Sequence, residues 1–426
     1  MSDVLIKGGR VIDPGAGVED ALDLRISEGK VTQVGVDLAA DGATTIDATG
    51  LIVAPGFVDL HAHLSEPGGE HRETIASGTR AAAAGGYTSL CAMPTTDPVV
   101  DDPAAVGFIR AEGVRAGTVR VYPVSTVSVG GEGKALTEFG EVVDAGAIAF
   151  GDAGSAIGST SLMRLALEYA QTFNVPVLTH PDDPDLSNGG VMHEGVVSTR
   201  LGLKGVPGAS EIIGLSRDLS LAEMTGGRLH VQRVSLAASV DLIRAAKERG
   251  VPVSAEVTPH HLVLTHDAVD GYGTEHKVEP PLRTDADVQA VRSGLAEGVL
   301  DAVATDHAPR HYDEKETAFG DAPSGVVGLE TAFAVLHTTL VGEGVMELET
   351  LLRRMSTAPA EIMGLPAGTL AEGAPGDVVL IDRNRRWTID PTVFESKSRN
   401  TPFGGWNAVG RVVQTFVGGR SVWRLG

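Results

Sequence analysis

The sequence predicts an α/β fold, a (β/α)8 TIM barrel with a small β-sandwich domain built from both chain termini. Two observations predict it. From Phe57 onward, short apolar segments rich in β-forming residues alternate with glycine-punctuated loops and segments of helical spacing, which is typical of βα units. At both ends of the chain the pattern changes to short strands and turns, over Val4 to Asp47 and again over Gly376 to Trp423.

Eight apolar segments have the length and composition of barrel strands, and eight βα units close into a barrel. In chain order the predicted strands are Phe57–His63, Tyr87–Met93, Val119–Val124, Ala147–Asp152, Val175–His180, Arg228–Val234, Val251–Val257 and Leu300–Asp306. Between them, apolar residues recur at three- and four-residue spacing, which indicates amphipathic helices. The predicted helices are Glu73–Ala84, Ser161–Thr172, Ser235–Arg249 and Ala286–Gly298.

The terminal segments are predicted to pair with each other. Asp3–Asp13 and Asp377–Asp382 both read as β-strands, although nearly the whole chain separates them. We therefore place the small β-sandwich domain at residues 1–55 plus 365–426 and the barrel at residues 56–364.

The amino-acid composition excludes several classes of site and partner. With 426 residues and 42% hydrophobic content, the chain can bury a large core. The single cysteine, Cys91, excludes an internal disulfide framework and a four-cysteine zinc site, and it favours a cytoplasmic location. The net charge of -22 argues against nucleic acid as a partner, since phosphate backbones would be repelled. No apolar run is long enough to span a membrane, and no signal peptide is apparent.

The most informative motif is the run from Gly56 to His63, a hydrophobic strand that ends with two histidines one residue apart. Side chains alternate along a strand, so His61 and His63 project to the same side and can hold one metal ion between them. Taken alone, the pair is better explained as two histidines on a half-buried strand.

Other polar side chains end the predicted strands in the same way. Asp152 ends the fourth, His180 the fifth and Asp306 the eighth. Catalytic groups collect at the carboxyl ends of barrel strands, and histidine with carboxylate ligands suits Zn²⁺ or a similar divalent ion that activates water. Each carboxylate also has a structural explanation: Asp152 lies in a glycine-flanked turn, and Asp306 could cap the following helix.

Four motifs carry a resemblance to a known family. They are Pro55-Gly56-Phe57-Val58-Asp59-Leu60-His61-Ala62-His63-Leu64, Ala149-Phe150-Gly151-Asp152, Glu256-Val257-Thr258-Pro259-His260-His261-Leu262 and Ala304-Thr305-Asp306-His307-Ala308-Pro309. With them the chain resembles the amidohydrolase superfamily, and within it the long type of dihydroorotase, over nearly its whole length. Such enzymes interconvert dihydroorotate and N-carbamoyl-L-aspartate in pyrimidine biosynthesis.

The resemblance implies roles for the strand-end residues. His61 and His63 would bind the more buried metal together with Asp306, Asp152 would bind or bridge, and His180 would serve a second metal. Asp306 would also act as the catalytic base that takes a proton from the attacking water and passes it to the leaving nitrogen.

The sequence departs from the family at four positions. Arg233 stands where the family places a histidine for the outer metal, and a guanidinium repels a cation, so we expect one zinc ion, not two. Ser65, Thr95 and Arg310 stand where the family grips the substrate carboxylate with arginine, asparagine and histidine. Arg310 or Arg233 could take over that recognition, since each brings a cationic fork to the rim, although both could instead pair with nearby acidic side chains.

These departures leave three functions open. The first is a zinc-dependent hydrolase of a cyclic amide, with dihydroorotase favoured. The second is a catalytically impaired homologue that acts as a structural partner of aspartate transcarbamoylase, and the third is a hydantoinase- or allantoinase-like hydrolase. We also expect a homo-oligomer, and a mobile cover over the site formed by the glycine-bearing segment Glu314 to Ser324.

Overall fold

The computed structural model describes residues 3–152 and 156–426. Within this part of the chain the strands are β1 (Val4–Asp13), β2 (Val18–Ser27), β3 (Lys30–Gly35), β4 (Thr44–Asp47), β5 (Ile52–Pro55), β6 (Phe57–Ala62), β7 (Tyr87–Ala92), β8 (Arg120–Pro123), β9 (Val177–Thr179), β10 (Met192–His193), β11 (Gly205–Val206), β12 (Leu229–Val231), β13 (Val253–Val257), β14 (Ala302–Val303), β15 (Val378–Thr388), β16 (Asn407–Val417) and β17 (Arg420–Arg424).

The α-helices of the same residues alternate with the barrel strands. They are α1 (Ile75–Gly85), α2 (Pro103–Ala116), α3 (Phe139–Ala145), α4 (Thr160–Ala170), α5 (Pro184–Ser187), α6 (Val196–Leu201), α7 (Ala209–Thr225), α8 (Ala237–Glu248), α9 (Pro259–Val263), α10 (Asp285–Glu297), α11 (Tyr312–Lys315), α12 (Ala332–Leu336), α13 (Leu348–Met355) and α14 (Thr357–Met363). Among the described residues, no helix has both the length and the apolar composition needed to cross a bilayer.

The predicted barrel is confirmed. The parallel strands β6–β7–β8 form one arc, and β9–β12–β13–β14 form the other. Phe150 joins the arcs on one side through parallel bridges to Ser125 and Val177, and a bridge between Ala62 and His307 closes the other side. The predicted fourth strand is therefore reduced to the pairing at Phe150, and most other barrel strands are shorter than predicted.

Helix ends follow local capping chemistry, which explains why they differ from the predicted ends by up to two residues. The Thr74 side chain accepts a hydrogen bond from the backbone N–H of Ser77, so α1 begins at Ile75 and leaves Glu73 outside the helix. Gly86, with φ 92°, ends α1 in a left-handed conformation that glycine adopts without steric cost.

The β-sandwich domain from both termini is confirmed as well. Its strands are hydrogen-bonded in the order β17-β16-β15-β5-β1-β2-β3, with β4 paired to β1. They enclose their own apolar cluster, to which the N-terminal Ile6 and Leu24 and the C-terminal Leu380 and Phe416 all belong. The domain boundaries at 55/56 and 364/365 stay a prediction.

Candidate active site

A cluster of two histidines and one aspartate lies where β6 and β14 end at the barrel mouth. The Nε2 atoms of His61 and His63 lie 3.4 Å and 3.7 Å from Asp306 Oδ1, and one ligand atom from each residue falls within 4.8 Å of the others. The bridge that closes the barrel beside these residues, between Ala62 and His307, fixes this approach. Of the sequence-predicted metal ligands, these three are brought together.

Glu256, at the end of β13, supports the cluster from below. One of its carboxylate oxygens lies 3.1 Å from His61 Nδ1 and the other 3.0 Å from His230 Nε2. Burial alone would raise the pKa of Glu256, but its hydrogen bonds with His230 and His61 lower that pKa to about 2. The carboxylate is therefore ionised and holds the His61 ring so that Nε2 faces Asp306.

Sequence reasoning missed this role of Glu256. The residue was visible as a carboxylate at the end of a predicted strand, the same signal that singled out Asp306. The contact of Glu256 with His61 could not be predicted from the sequence, because it depends on the side of the barrel wall to which the Glu256 side chain points.

Thr95 holds the second histidine. Its hydroxyl oxygen lies 2.5 Å from His63 Nδ1, which leaves Nε2 of that ring directed at Asp306. Burial lowers the pKa of His63 to about 4, so the imidazole is neutral at pH 7 and can act as a ligand. The sequence suggested Thr95 as a substrate-binding residue, and the structure places it beside the metal ligand on the cavity wall.

Asp152 does not join the cluster that the described residues form. Its carboxylate accepts hydrogen bonds from the backbone N–H groups of Val127 and Ser128, at 2.7 Å and 3.2 Å, and from the Ser128 hydroxyl at 2.7 Å. Burial raises the pKa of Asp152, although these bonds oppose the shift. In this conformation the carboxylate fixes the loop after β8, the predicted glycine-flanked turn extends into residues 153–155 outside the described residues, and the ligand role of Asp152 stays a prediction.

His180 and Arg233 line the outer side of the site. His180 lies in an adjoining cavity of about 210 Å³ and takes no part in the cluster, and its Nδ1 is buried with no hydrogen-bond partner among the described residues. Arg233 follows β12 with a φ of 55°, and its Nη1 atom lies 3.6 Å from Asp306 Oδ1. Burial would raise the pKa of Asp306, but Arg233 and the two histidines hold that pKa well below its usual range.

The four predicted substrate-binding residues share one cavity of about 180 Å³ that opens above the cluster. Ser65, Thr95, Arg233 and Arg310 all line it, together with His63 and Asp306. The predicted substrate-binding residues thus form one surface with two of the predicted metal ligands, His63 and Asp306.

Two further arginines, Arg72 and Arg310, line this cavity. Arg310 donates from Nε to the carbonyl of Ser324 at 2.8 Å. Burial and the neighbouring Arg72 lower the pKa of Arg310. Arg72 donates from Nε to both carboxylate oxygens of Glu314, at 3.1 Å and 3.0 Å. Of the two, Arg310 keeps more of its donor groups available to an anion in the cavity.

The segment predicted as a mobile cover is anchored by buried side chains, although about half of its residues are exposed. Phe319 and Lys315 are buried, and Lys315 Nζ donates to the carbonyls of Thr274 and Pro323 at 3.0 Å and 2.9 Å. Its last residue, Ser324, lines both cavities. The segment therefore forms part of the cavity wall in this conformation.

Comparisons with known proteins agree with this geometry. The sequence profile of the Dihydro-orotase-like family matches residues 50–239, and that of an amidohydrolase family matches residues 219–423. The chain is 51% identical over 427 residues to a dihydroorotase of Anaeromyxobacter dehalogenans (strain 2CP-C), covering 99% of this chain and 98% of the relative. It is 46% identical to a dihydroorotase of Syntrophotalea carbinolica, covering 99% of both chains.

A solved structure shares the whole architecture. The L-hydantoinase (dihydropyrimidinase) from Arthrobacter aurescens superposes with a TM-score of 0.89 at 27% identity, covering 100% of this chain and 96% of that one. The fold is therefore common to hydrolases of several cyclic amides, whereas sequence identity is far higher to the dihydroorotases. Together with the cluster at the barrel mouth, these matches show that the chain belongs to the dihydroorotase family of the amidohydrolases.

Proposed function

We propose that this protein is a dihydroorotase that interconverts dihydroorotate and N-carbamoyl-L-aspartate with one bound zinc ion. The observation that carries the proposal is the convergence of His61, His63 and Asp306 at the floor of a cavity in a chain 51% identical to a dihydroorotase. A structural partner without catalysis has no physical need for such a buried cluster.

The residues present fit one divalent cation. His61 Nε2 and Asp306 Oδ1 are buried and have no hydrogen-bond partner among the described residues, and a cation is the group that both atoms can bind. His61 lies against two buried carboxylates, those of Glu256 and Asp306, and one buried guanidinium, that of Arg233, approaches Asp306 at 3.6 Å, so the groups in direct contact with the cluster carry excess negative charge to offset a cation. Imidazole and carboxylate ligands suit Zn²⁺. When bound there, the ion would polarise the amide carbonyl and lower the pKa of a water molecule toward neutrality.

Asp306 moves the proton. Its carboxylate is ionised, because Arg233 and the histidines hold its pKa low despite burial, and its Oδ1 atom faces the space between the ligand nitrogens. It accepts a proton from the attacking water and delivers that proton to the ring nitrogen as the amide bond breaks. The reverse reaction, ring closure with loss of water, uses the same path.

Arg310 binds the substrate carboxylate. It lines the same cavity as Asp306 and forms no ion pair with that residue among the described residues, so it can hold a carboxylate while the ring amide faces Asp306. Ser65 lines the cavity too and can add a neutral hydrogen bond. Replacing Arg310 with alanine should raise KM for dihydroorotate by one to two orders of magnitude, since a hydrogen bond to a charged group contributes about 1.5 to 3 kcal/mol. An unchanged KM would support the alternative that Arg310 only pairs with acidic neighbours.

The test of the function is a pair of measurements on one preparation. Zinc content is measured by mass spectrometry after dialysis against chelator and after zinc is restored, and turnover of dihydroorotate, hydantoin and allantoin is assayed in both states. We expect one zinc per chain and zinc-dependent turnover of dihydroorotate above that of the other rings. Zinc-bound protein that turns over only hydantoin or allantoin would contradict the substrate assignment.

The proposed assembly with aspartate transcarbamoylase is tested on the same preparation. The assay is repeated with that enzyme present, and the mass of the protein in solution is measured by light scattering with and without it. We expect a homo-oligomer alone and a larger complex with the transcarbamoylase. Zinc-free, inactive protein that forms the complex would instead support the structural-partner role.

A further inference from the structure

Arg233 is a buried guanidinium whose hydrogen-bonding capacity is not used within the described part of the chain. The residue is 6% exposed, and its Nε and Nη2 atoms are buried without a hydrogen-bond partner among the described residues. Its one close charged contact there is the 3.6 Å approach of Nη1 to Asp306 Oδ1, which is longer than a hydrogen bond. A buried cation with unpaired N–H groups is costly unless a ligand supplies the acceptors.

The position of these donors differs from that of Arg310. Arg233 lies 3.6 Å from the oxygen that also faces His61 and His63, whereas Arg310 forms no ion pair with Asp306 among the described residues and donates from Nε to the carbonyl of Ser324. Asp306 must lie next to the carbon that water attacks if it is to move the proton. Arg233 lines the same cavity as Asp306, so its guanidinium lies beside the reacting amide, and the substrate carboxylate is left to Arg310.

We propose that Arg233 is a catalytic residue that donates hydrogen bonds to the carbonyl oxygen of the scissile amide and stabilises the negative charge formed on it. This inference rests on the proposed function. The water oxygen forms a bond to the carbonyl carbon, the π electrons of the carbonyl move to its oxygen, and Asp306 accepts the water proton. When the oxyanion reforms the C=O bond, the C–N bond breaks and Asp306 returns the proton to the nitrogen. No further reactant is needed.

The backbone at Arg233 is consistent with this role. A φ of 55° is uncommon for a residue with a long side chain, and such conformations are retained where the surrounding structure enforces them. Here the left-handed turn directly after β12 directs the guanidinium toward Asp306. The position thus adds to the site a fixed positive charge that does not depend on a second metal ion.

The test compares Arg233→Ala with the matched control Arg310→Ala. Loss of one oxyanion donor should lower kcat by about 10² to 10³-fold with little change in KM, whereas Arg310→Ala should mainly raise KM. Adding millimolar methylguanidinium should restore part of the kcat of Arg233→Ala and none of the loss in Arg310→Ala. Zinc content measured by mass spectrometry should equal that of the unmodified protein. A kcat close to the unmodified value, a KM effect alone, or loss of zinc together with activity would overturn the inference.

A binding measurement keeps this test separate from the test of the function. The probe is a cyclic phosphonamidate with the dihydroorotate ring, whose tetrahedral phosphoryl group carries the charge of the transition state. Arg233→Ala should weaken its binding by about 100-fold or more, while binding of N-carbamoyl-L-aspartate changes little. Arg233→Lys keeps the charge without the fork, so its affinity for the phosphonamidate should lie between that of Arg233→Ala and that of the unmodified protein. Equal phosphonamidate affinity in all variants contradicts the role of Arg233, whereas absence of dihydroorotate turnover by zinc-bound, unmodified protein contradicts the proposed function.

Discussion

The two sides of the active site are built differently. The inner half, which consists of His61, His63 and Asp306, converges on one point, whereas in the outer half, which consists of Asp152, His180 and Arg233, neither possible metal ligand joins that cluster among the described residues. Each histidine of the inner half is held by a second side chain, since Glu256 contacts His61 and Thr95 contacts His63. In the outer half, Asp152 is engaged by the loop after β8 and His180 lies in an adjoining cavity. Convergence therefore depends on the residues behind the ligands as much as on the ligands themselves.

The two halves also differ in charge. The inner half holds the buried Asp306 carboxylate and rests on the ionised carboxylate of Glu256, whereas the outer half contributes the guanidinium of Arg233. A cation is attracted to the carboxylates of the inner half and repelled by the guanidinium of Arg233, while the Asp152 carboxylate is engaged by the loop after β8. The expectation of one zinc ion in the inner half follows from this asymmetry.

Replacing Asp306 with asparagine should give the largest effect. The variant loses both the proton carrier and an anionic ligand, so kcat should fall by about 10² to 10⁴-fold, and zinc should be held more weakly. Steady-state kinetics at saturating zinc and zinc titration with a competing chelator measure the two effects separately.

The matched control for Asp306 is Asp301→Asn. Asp301 is a half-buried carboxylate five residues away in the sequence. It pairs with Lys247 at 2.7 Å and has no proposed role in catalysis or zinc binding. This variant should lose some stability and keep its kinetics. If Asp306→Asn kept the kcat of the unmodified protein, the inner half would not be the catalytic centre.

The sequence predicted the inner half better than the outer half for a physical reason. Alternation along β6 places His61 and His63 on one side whatever the surroundings, and the ends of parallel strands meet at one rim. Asp152 satisfied the same criterion, but a carboxylate beside free backbone N–H groups can bond to them instead, and that competition is not visible in the sequence. The left-handed turn at Arg233 could not be predicted either, since a regular strand would direct this side chain differently.

The next largest effect is expected from acid, which should lower the free energy of unfolding of the metal-free protein through His63. His63 has a pKa of about 4 in the folded protein, against about 6.5 when unfolded. Below pH 6.5 the unfolded chain binds a proton that the folded chain does not, so the stabilising contribution is complete above about pH 6.5 and is lost as the pH falls toward 4. The loss amounts to about 3 kcal/mol for this group. Urea unfolding of chelator-treated protein between pH 7 and 4.5 measures it.

Saturating zinc provides the comparison for the acid experiment. Zinc binds only the neutral imidazole, so it should shift the loss of stability to lower pH. His63→Asn should reduce the slope of unfolding free energy against pH by about one proton in the metal-free protein. A slope that is the same in both proteins would show that His63 is accessible to protons in the folded state.

Replacing Glu256 with glutamine tests the support behind the inner half. Glutamine keeps the shape of the side chain but removes the charge that holds the His61 ring, and loss of such a partner lowers metal affinity by about 10 to 100-fold. The dissociation constant for zinc, measured by competition with a chelator, should rise by that factor. Gln232→Leu is the comparison variant, because Gln232 contacts the same Nδ1 atom at 3.0 Å without bringing a charge. Equal zinc affinity in Glu256→Gln and the unmodified protein would show that Glu256 does not support zinc binding.

Replacing Asp152 with asparagine should give the smallest effect, because in this conformation its carboxylate binds the loop after β8. Asparagine retains one oxygen for the backbone N–H groups of Val127 and Ser128 and gives up only the charged acceptor of the Ser128 hydroxyl, so the free energy of unfolding should fall by about 1 kcal/mol. The affinity for zinc should stay unchanged. Ser128→Ala removes the same hydroxyl bond from the other side and should give a similar loss of stability. If Asp152→Asn instead weakened zinc binding by about tenfold while Ser128→Ala did not, Asp152 would turn toward the metal when zinc is bound, and the difference between the two halves would be one of conformation, not of composition.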